Sequence, residues 1–280
     1  MDLSRERTLR DVLHRHGIWL TKSLGQHLLV DQDALTRIVD AASLSLGEEV
    51  LEVGPGAGTL TARLVERARR VVAVELDSRM VAALRETVPH PALEIVQADA
   101  LTVDPATLFE GRPYKLVANL PYGVATPLLR TLLYAPPEQR PRLMVVMVQR
   151  EVARRLAAQP GDLSVLGVQA QMVADVELLF ELGAESFFPP PAVASAVIRL
   201  TPLQDFRVDP APTERRFFQT VSAGFSQKRK QLHNALGSLG VGADRIRAAL
   251  DTSGVAPSRR AETLTLEEWS RLSRALWSET

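Results

Sequence analysis

From position 50 onward short apolar runs alternate with amphipathic stretches, a rhythm that predicts β-α units around a parallel sheet. The runs Val50 to Val53, Arg70 to Val74, Leu93 to Val96, Tyr114 to Ala118 and Leu143 to Val148 predict five strands. Helices are expected near Leu60 to Ala68, Arg79 to Thr87 and Pro127 to Tyr134, and again at Glu151 to Ala158 and Leu163 to Val173. Two later β-like runs, Val176 to Glu181 and Val193 to Leu200, are close enough to pair antiparallel at one edge. The sum is a seven-stranded, three-layer α/β sheet. Upstream, Asp2 to His16 reads as a charged helix with Leu3, Leu9, Val12 and Leu13 inward. A second helix, capped by Asp31 or Asp33, buries Leu35, Ile38, Val39 and Ala42. Thr201 to Pro212 holds three prolines and little period, as a linker does. Beyond it the pattern is helical only, at Glu214 to Ala223, Lys228 to Leu239, Ala243 to Asp251 and Leu266 to Trp277. Two domains are therefore expected, a sheet domain over residues 1–204 and a small all-α domain over 205–280.

Composition narrows the function classes. The 280 residues are 46% hydrophobic and 24% charged, enough to bury a sizeable core. Without cysteine, disulfides and thiolate chemistry are excluded, and the five scattered histidines predict no metal site. No apolar signal core opens the chain and no run is long enough to cross a bilayer, so a cytoplasmic protein with no membrane partner is expected. Net charge is zero, which argues against coating nucleic acid by bulk electrostatics. From Phe206 onward, however, twelve Lys and Arg face eight Asp and Glu. Nucleic-acid contact would come from patches, chiefly in the C-terminal part.

Candidate chemistry gathers at the strand ends, where open α/β sheets bind ligands. The first strand runs into Gly54-Pro55-Gly56-Ala57-Gly58-Thr59, with Thr59 where a dinucleotide fingerprint needs glycine. That spacing suits a nucleoside better than a pyrophosphate. Glu75, ending the second strand, is placed to accept ribose hydroxyls, and Asp99, after the third, to accept an adenine amino group. The fourth ends in Asn119-Leu120-Pro121-Tyr122. There the Asn119 oxygen and a carbonyl of Leu120 or Pro121 would accept the two N–H of a planar amine, with Tyr122 as a stacking face. Each feature also has a local explanation as a turn, a cap or a helix-start acid. Four in succession at four strand ends do not.

With those residues in place the chain resembles the S-adenosylmethionine-dependent rRNA adenine N6,N6-dimethyltransferases, most closely the KsgA/RsmA family of the bacterial small subunit. Ser23 to Leu29 is similar to the family's Gly-Gln-Asn-Phe-Leu segment, Gln149 to Leu156 to a helix after the fifth strand, and Phe187 to Val193 to a Phe-x-Pro-Pro-Pro-x-Val element. Phe225 to Leu236 resembles its basic helix. The resemblance implies a Rossmann-like class I methyltransferase domain followed by a small helical rRNA-binding domain. It implies S-adenosyl-L-methionine as cofactor, held by His27, Leu29, Gly54, Gly56, Glu75, Asp99 and Asn119. It implies catalysis at Asn119, Leu120, Pro121 and Tyr122, with Phe187 stacking on the target adenine opposite Tyr122. Arg150, Arg154, Arg155, Lys228, Arg229 and Lys230 are the implied RNA contacts. The implied reaction is dimethylation of two adjacent adenosines in the 3′-terminal hairpin loop of small-subunit (16S) rRNA, within an immature 30S subunit, by a monomer. Two other readings stand beside it: the large-subunit methyltransferase of the macrolide-resistance type, and an assembly factor whose binding matters more than its chemistry.

The chain departs from the family pattern at Leu24 and Leu28, which replace Phe, and at His27, which replaces Asn. An imidazole ordinarily titrates near neutral pH where an amide does not. Affinity for the cofactor is expected to fall on acidification, and calorimetry on His27→Asn is expected to show that dependence gone.

Overall fold

The aliphatic runs become strands because helices cover both faces of a parallel sheet, and a strand buried on both sides carries apolar residues without alternation. The computed structural model describes residues 3, 5–20, 27–227 and 229–278. The chain divides into two units, Met1–Ala153 with Asp175–Pro202, and Arg154–Ala174 with Leu203–Thr280. A single boundary at 204/205 was expected, with residues 154–174 on the sheet side. They group with the C-terminal helices instead, since the Gln171 amide donates to the Leu156 and Ala158 carbonyls and Arg207 donates to the Gln171 carbonyl.

The elements follow in the order α1 (Glu6–Arg15), β1 (Leu28–Leu29), α2 (Gln32–Ala41), β2 (Glu49–Val53), α3 (Thr61–Leu64), β3 (Arg70–Glu75) and α4 (Ser78–Thr87). Next come β4 (Leu93–Gln97), α5 (Pro105–Phe109), β5 (Tyr114–Asn119), α6 (Tyr122–Leu133), β6 (Met144–Gln149), α7 (Arg150–Leu156) and α8 (Val165–Val173). Then β7 (Ala174–Leu182), β8 (Phe187–Phe188) and β9 (Ser195–Pro202) complete the strands. Seven of them form one sheet in the order β4-β3-β2-β5-β6-β9-β7. The first five of that order are parallel, and β9 runs antiparallel to β6. From β2 the chain adds β3 and β4 on one side, then returns to add β5 and β6 on the other. That reversal opens a crevice at the carboxyl ends of β2 and β5. Register lines those ends up, with Val53 opposite Val74 and Glu75 opposite Gln97.

Two apolar clusters fix the crevice walls. One packs Leu35, Ile38, Leu64, Val71, Ala73, Val117 and Val145 with Leu29 and Phe187, so the β1–β8 pair is sewn into the main core. The other joins Leu9, Val12 and Leu13 of α1 to Met80 and Ala83 of α4 and to Leu28. Asp31, rather than Asp33, caps α2 by accepting from the Ala34 N–H at 3.1 Å. At the opposite, amino-terminal edge of the sheet the buried Glu49 carboxylate is gripped by Arg69, Arg70 and Arg112. Burial works to raise its pKa, but the arginines outweigh that and hold it below the ordinary range.

The second unit continues with α9 (Glu214–Gly224), α10 (Leu232–Ala235), α11 (Ala243–Ser253) and α12 (Leu266–Trp277), packed around the buried Trp269. Thr265 and Glu268 close a capping box at the start of α12. The long basic helix expected over 228–239 is not present as such. Arg229 and Lys230 lie in a turn ahead of the one-turn α10, which tightens into a 3-10 turn at Leu236–Leu239. Lys228, and residues 21–26, which include the first part of the Ser23 to Leu29 segment, lie outside the described residues. Among the described residues no helix is long and apolar enough to cross a membrane.

Candidate active site

The loop leaving β2 holds Gly54 and Gly56 at φ of +68° and +57°, a region that side chains disfavour. Space is as restrictive as conformation. A Cβ on Gly54 would come within 2.9 Å of Pro121 Cγ, and one on Gly56 within 2.5 Å of Leu28 Cδ2. The glycines therefore let the first strand's loop lie against the Asn119–Tyr122 turn on one side and β1 on the other.

Glu75 ends β3 and organises that loop. Its Oε2 accepts from the Gly56 N–H at 3.2 Å, and its Oε1 from the N–H groups of Leu76 and Asp77 at 2.8 and 3.0 Å. Burial raises its pKa above the ordinary range, while those three N–H groups pull the other way. A carboxylate has about four lone-pair positions, so three bonds leave Oε2 with room for one further donor. The two-hydroxyl grip expected for ribose is thus reduced to one strong acceptor.

Asp99, exposed after β4, turns Oδ1 back to the Leu101 N–H at 2.9 Å and keeps Oδ2 for an outside donor. Asn119 ends β5, and its amide nitrogen donates to the His27 carbonyl at 3.2 Å. A carbonyl only accepts, so this bond fixes the amide orientation and leaves the Asn119 oxygen as acceptor. The Pro121 carbonyl is taken by the Val124 and Ala125 N–H groups of α6. Of the two carbonyls considered from sequence, that of Leu120 is the better partner for an amine. His27 Nδ1 sits 2.7 Å from the Pro189 carbonyl, and its ring lies 6.1 Å from that of Tyr122 at a tilt of 33°.

These side chains surround one cavity of 430 Å³. Its lining includes His27, Leu29, Gly54, Gly56, Glu75, Asp99 and Asn119, together with Leu120, Pro121 and Tyr122. Phe187 is not among them. It is 4% exposed, paired opposite Leu29 and packed in the main core, so it does not face Tyr122 across an open slot. Its neighbour Phe188 packs with the α1 cluster under Arg10, whose guanidinium lies 4.9 Å from the ring centre. Of the expected RNA contacts, Arg150 is exposed and 3.7 Å from Glu181, while Arg154, Arg155, Arg229 and Lys230 are exposed on the second unit.

Sequence reasoning missed Glu52. It is the penultimate residue of β2, 1% exposed, lines the cavity, and leaves Oε2 without a partner. Burial pushes its carboxyl up to about 8; the nearby Thr61 hydroxyl, which closes no hydrogen bond, works downward and the Glu75 charge upward. The signal was an acid inside a run otherwise suited to burial on both faces. The acceptor set thus fits a nucleoside carrying a cationic tail: acceptors at Glu75 and Asp99, an apolar flank at Leu76 (69% exposed), and an orphaned buried carboxyl that a neighbouring positive charge would favour in its ionised form.

The model of the family described as ribosomal RNA adenine dimethylase matches residues 19–277. The chain belongs to this family. It is 41% identical to the ribosomal RNA small subunit methyltransferase A of Dehalococcoides mccartyi, over 94% of this chain and 90% of that protein. The protein of the same name from Rhodopseudomonas palustris is 44% identical, over 96% of this chain and 93% of the other. Among solved structures, the 23S rRNA methyltransferase ErmE superposes with a TM-score of 0.71 at 31% identity, covering 89% of this chain and 99% of its own. A dimethyladenosine transferase from Plasmodium falciparum gives 0.70 at 24% identity, over 88% and 95%, a likeness of fold. The ribosomal RNA adenine dimethylase is accordingly a methyltransferase enzyme with the seven-stranded class I sheet.

The buried Glu52 makes stability depend on pH. On unfolding its carboxyl returns to its ordinary 4.5, so its share of stability is full below that value and is lost as the pH rises towards about 8. Each unit of that interval costs about 1.4 kcal/mol. Denaturant titrations at a series of pH values are expected to show wild type losing a few kcal/mol relative to Glu52→Gln across the window; parallel curves would show Glu52 to be ionised and paired.

Proposed function

We propose that the chain transfers methyl groups from S-adenosyl-L-methionine to N6 of two adjacent adenosines in the 3′-terminal hairpin loop of small-subunit (16S) rRNA, acting as a cytoplasmic monomer on the immature 30S subunit. The observation that carries this is the Asn119–Tyr122 turn. It offers a neutral oxygen with its orientation already fixed, a free carbonyl and an aromatic ring at the switch point, beside a cavity fit for a nucleoside. The cofactor, when bound, supplies a methyl group activated on a sulfonium. Glu75 and Asp99 would hold the hydroxyl and amino edges of its nucleoside, and Glu52, favoured in its ionised form by a cation beside it, would balance its positive charge.

An exocyclic amine on adenine is a poor nucleophile because its lone pair is delocalised into the ring. Accepting both N–H bonds at the Asn119 oxygen and the Leu120 carbonyl draws the lone pair back onto nitrogen and aims it. The N6 lone pair forms the new N–C bond as the donor C–S bond breaks with its electron pair going to sulfur. The cationic nitrogen then loses its proton to solvent. A neutral amide suits this better than a carboxylate, which would invite proton transfer before attack. Gly123 and Val124 beyond the ring leave room for an N6 already bearing one methyl. The target base must leave its stack, which favours a loop. Exposed Arg154, Arg155, Arg229 and Lys230 on the helical unit, and Arg150 on the sheet unit, are the proposed phosphate contacts, with Lys228 beside them in sequence.

Higher identity to the small-subunit enzymes than to the 23S enzyme supports the small-subunit reading over the resistance type. Labelled methyl transfer to immature small subunits, naked small-subunit rRNA and large-subunit rRNA in parallel tests the proposal. Dimethyladenosine is expected in the small-subunit hairpin alone, and Asn119→Ala is expected to lower transfer by at least about a hundredfold while leaving RNA binding in place. Transfer confined to large-subunit rRNA would move the chain to the resistance type. Unchanged transfer in Asn119→Ala would remove the role given to the amide.

A further inference from the structure

We propose that Ser195, far along the chain from the Asn119–Tyr122 turn, is a positioning residue that sets the plane of the Tyr122 ring, an inference that rests on the function proposed above. Ser195 opens β9 opposite Gln149 of β6 and is 0% exposed, so its hydroxyl has no access to water. It lies 3.0 Å from the Tyr122 hydroxyl, 73 residues away in the chain. Either group can donate. Removing either leaves the other buried or half-buried and unpaired, the costly way to lose a hydrogen bond.

Tyr122 is held at its two ends. Its backbone is the first residue of α6, behind the rigid Pro121, and its hydroxyl is tied to β9. The connection from β8 to β9 also carries Pro189, whose carbonyl holds His27, whose own carbonyl in turn holds the Asn119 amide. The ring on which a base would stack and the amide that would polarise its amine are thereby referred to one stretch of backbone, residues 189–195. A Tyr ring free to pivot about its Cβ would let the base plane tilt relative to the Asn119 oxygen. The first transfer tolerates tilt better than the second, because an N6 bearing a methyl has one N–H left to be gripped and swings its bulk with every change of plane.

Ser195→Ala, Tyr122→Phe and the double variant of the full chain test this on whichever rRNA substrate the wild type methylates best. Each single change is expected to lower kcat about three- to tenfold, the worth of one hydrogen bond, with KM nearly unchanged, and to raise the proportion of N6-monomethyl over dimethyl product. The double variant is expected to be no worse than the worse single one. Calorimetric affinity for S-adenosylhomocysteine is expected to stay at the wild-type value in all three. Losses that multiply in the double variant, or an unchanged product ratio accompanied by weaker cofactor binding, would overturn the proposal and make Ser195 a packing residue. A wild-type chain that methylates no rRNA would overturn the functional reading, and this inference with it.

Discussion

The parallel register of β2, β3, β4 and β5 is the constraint on which the rest depends. It brings four strand ends level at the point where the sheet order reverses, so residues 54, 75, 99 and 119 meet around one cavity although some twenty residues separate each from the next. Glu75 ties the ends together by accepting three backbone N–H groups, one of them from the glycine loop. Gly54 permits the contact with Pro121 that closes the gap between the first loop and the last. Without that approach the nucleoside wall and the amine cradle would be separate features.

Much of this was legible because the period of a doubly buried strand is hard to imitate. All seven sheet strands were placed from their aliphatic runs, and residues singled out at four of their ends line one cavity. What escaped was whatever lacks a period. The β1–β8 pair is two residues on each side, too short for alternation to register, yet it buries Phe187, the ring that the family resemblance assigned to the target base. The one-turn α3 and α10 fell inside longer amphipathic stretches. The basic triplet at 228–230 read as a helix because lysine and arginine are good helix formers, while Arg229 and Lys230 occupy a turn. Residues 154–174 read as part of the sheet unit because sequence order, rather than packing, was all there was to go by.

The buried polar groups separate into two kinds. Glu49, at the amino-terminal edge, is buried and charged because three arginines surround it, and its work is structural. Glu52, three residues along the same strand, is buried beside another acid and lacks a partner for Oε2. Identical side chains on one strand are thus shifted in opposite directions, Glu49 down and Glu52 up, and Glu52 faces the cavity. Burial of a carboxyl without compensation is unfavourable for folding alone, which is the pattern expected where a site is arranged for a ligand rather than for stability.

The most direct test of the strand-end site is the calorimetric dissociation constant of S-adenosylhomocysteine for the wild-type chain and for Glu75→Gln. One-site binding that weakens at least about tenfold in the variant, with thermal stability retained, is the predicted result. Equal affinities for the two proteins would contradict the assignment of this cavity to the cofactor and, with it, the alignment of the four strand ends as a methyl-transfer site.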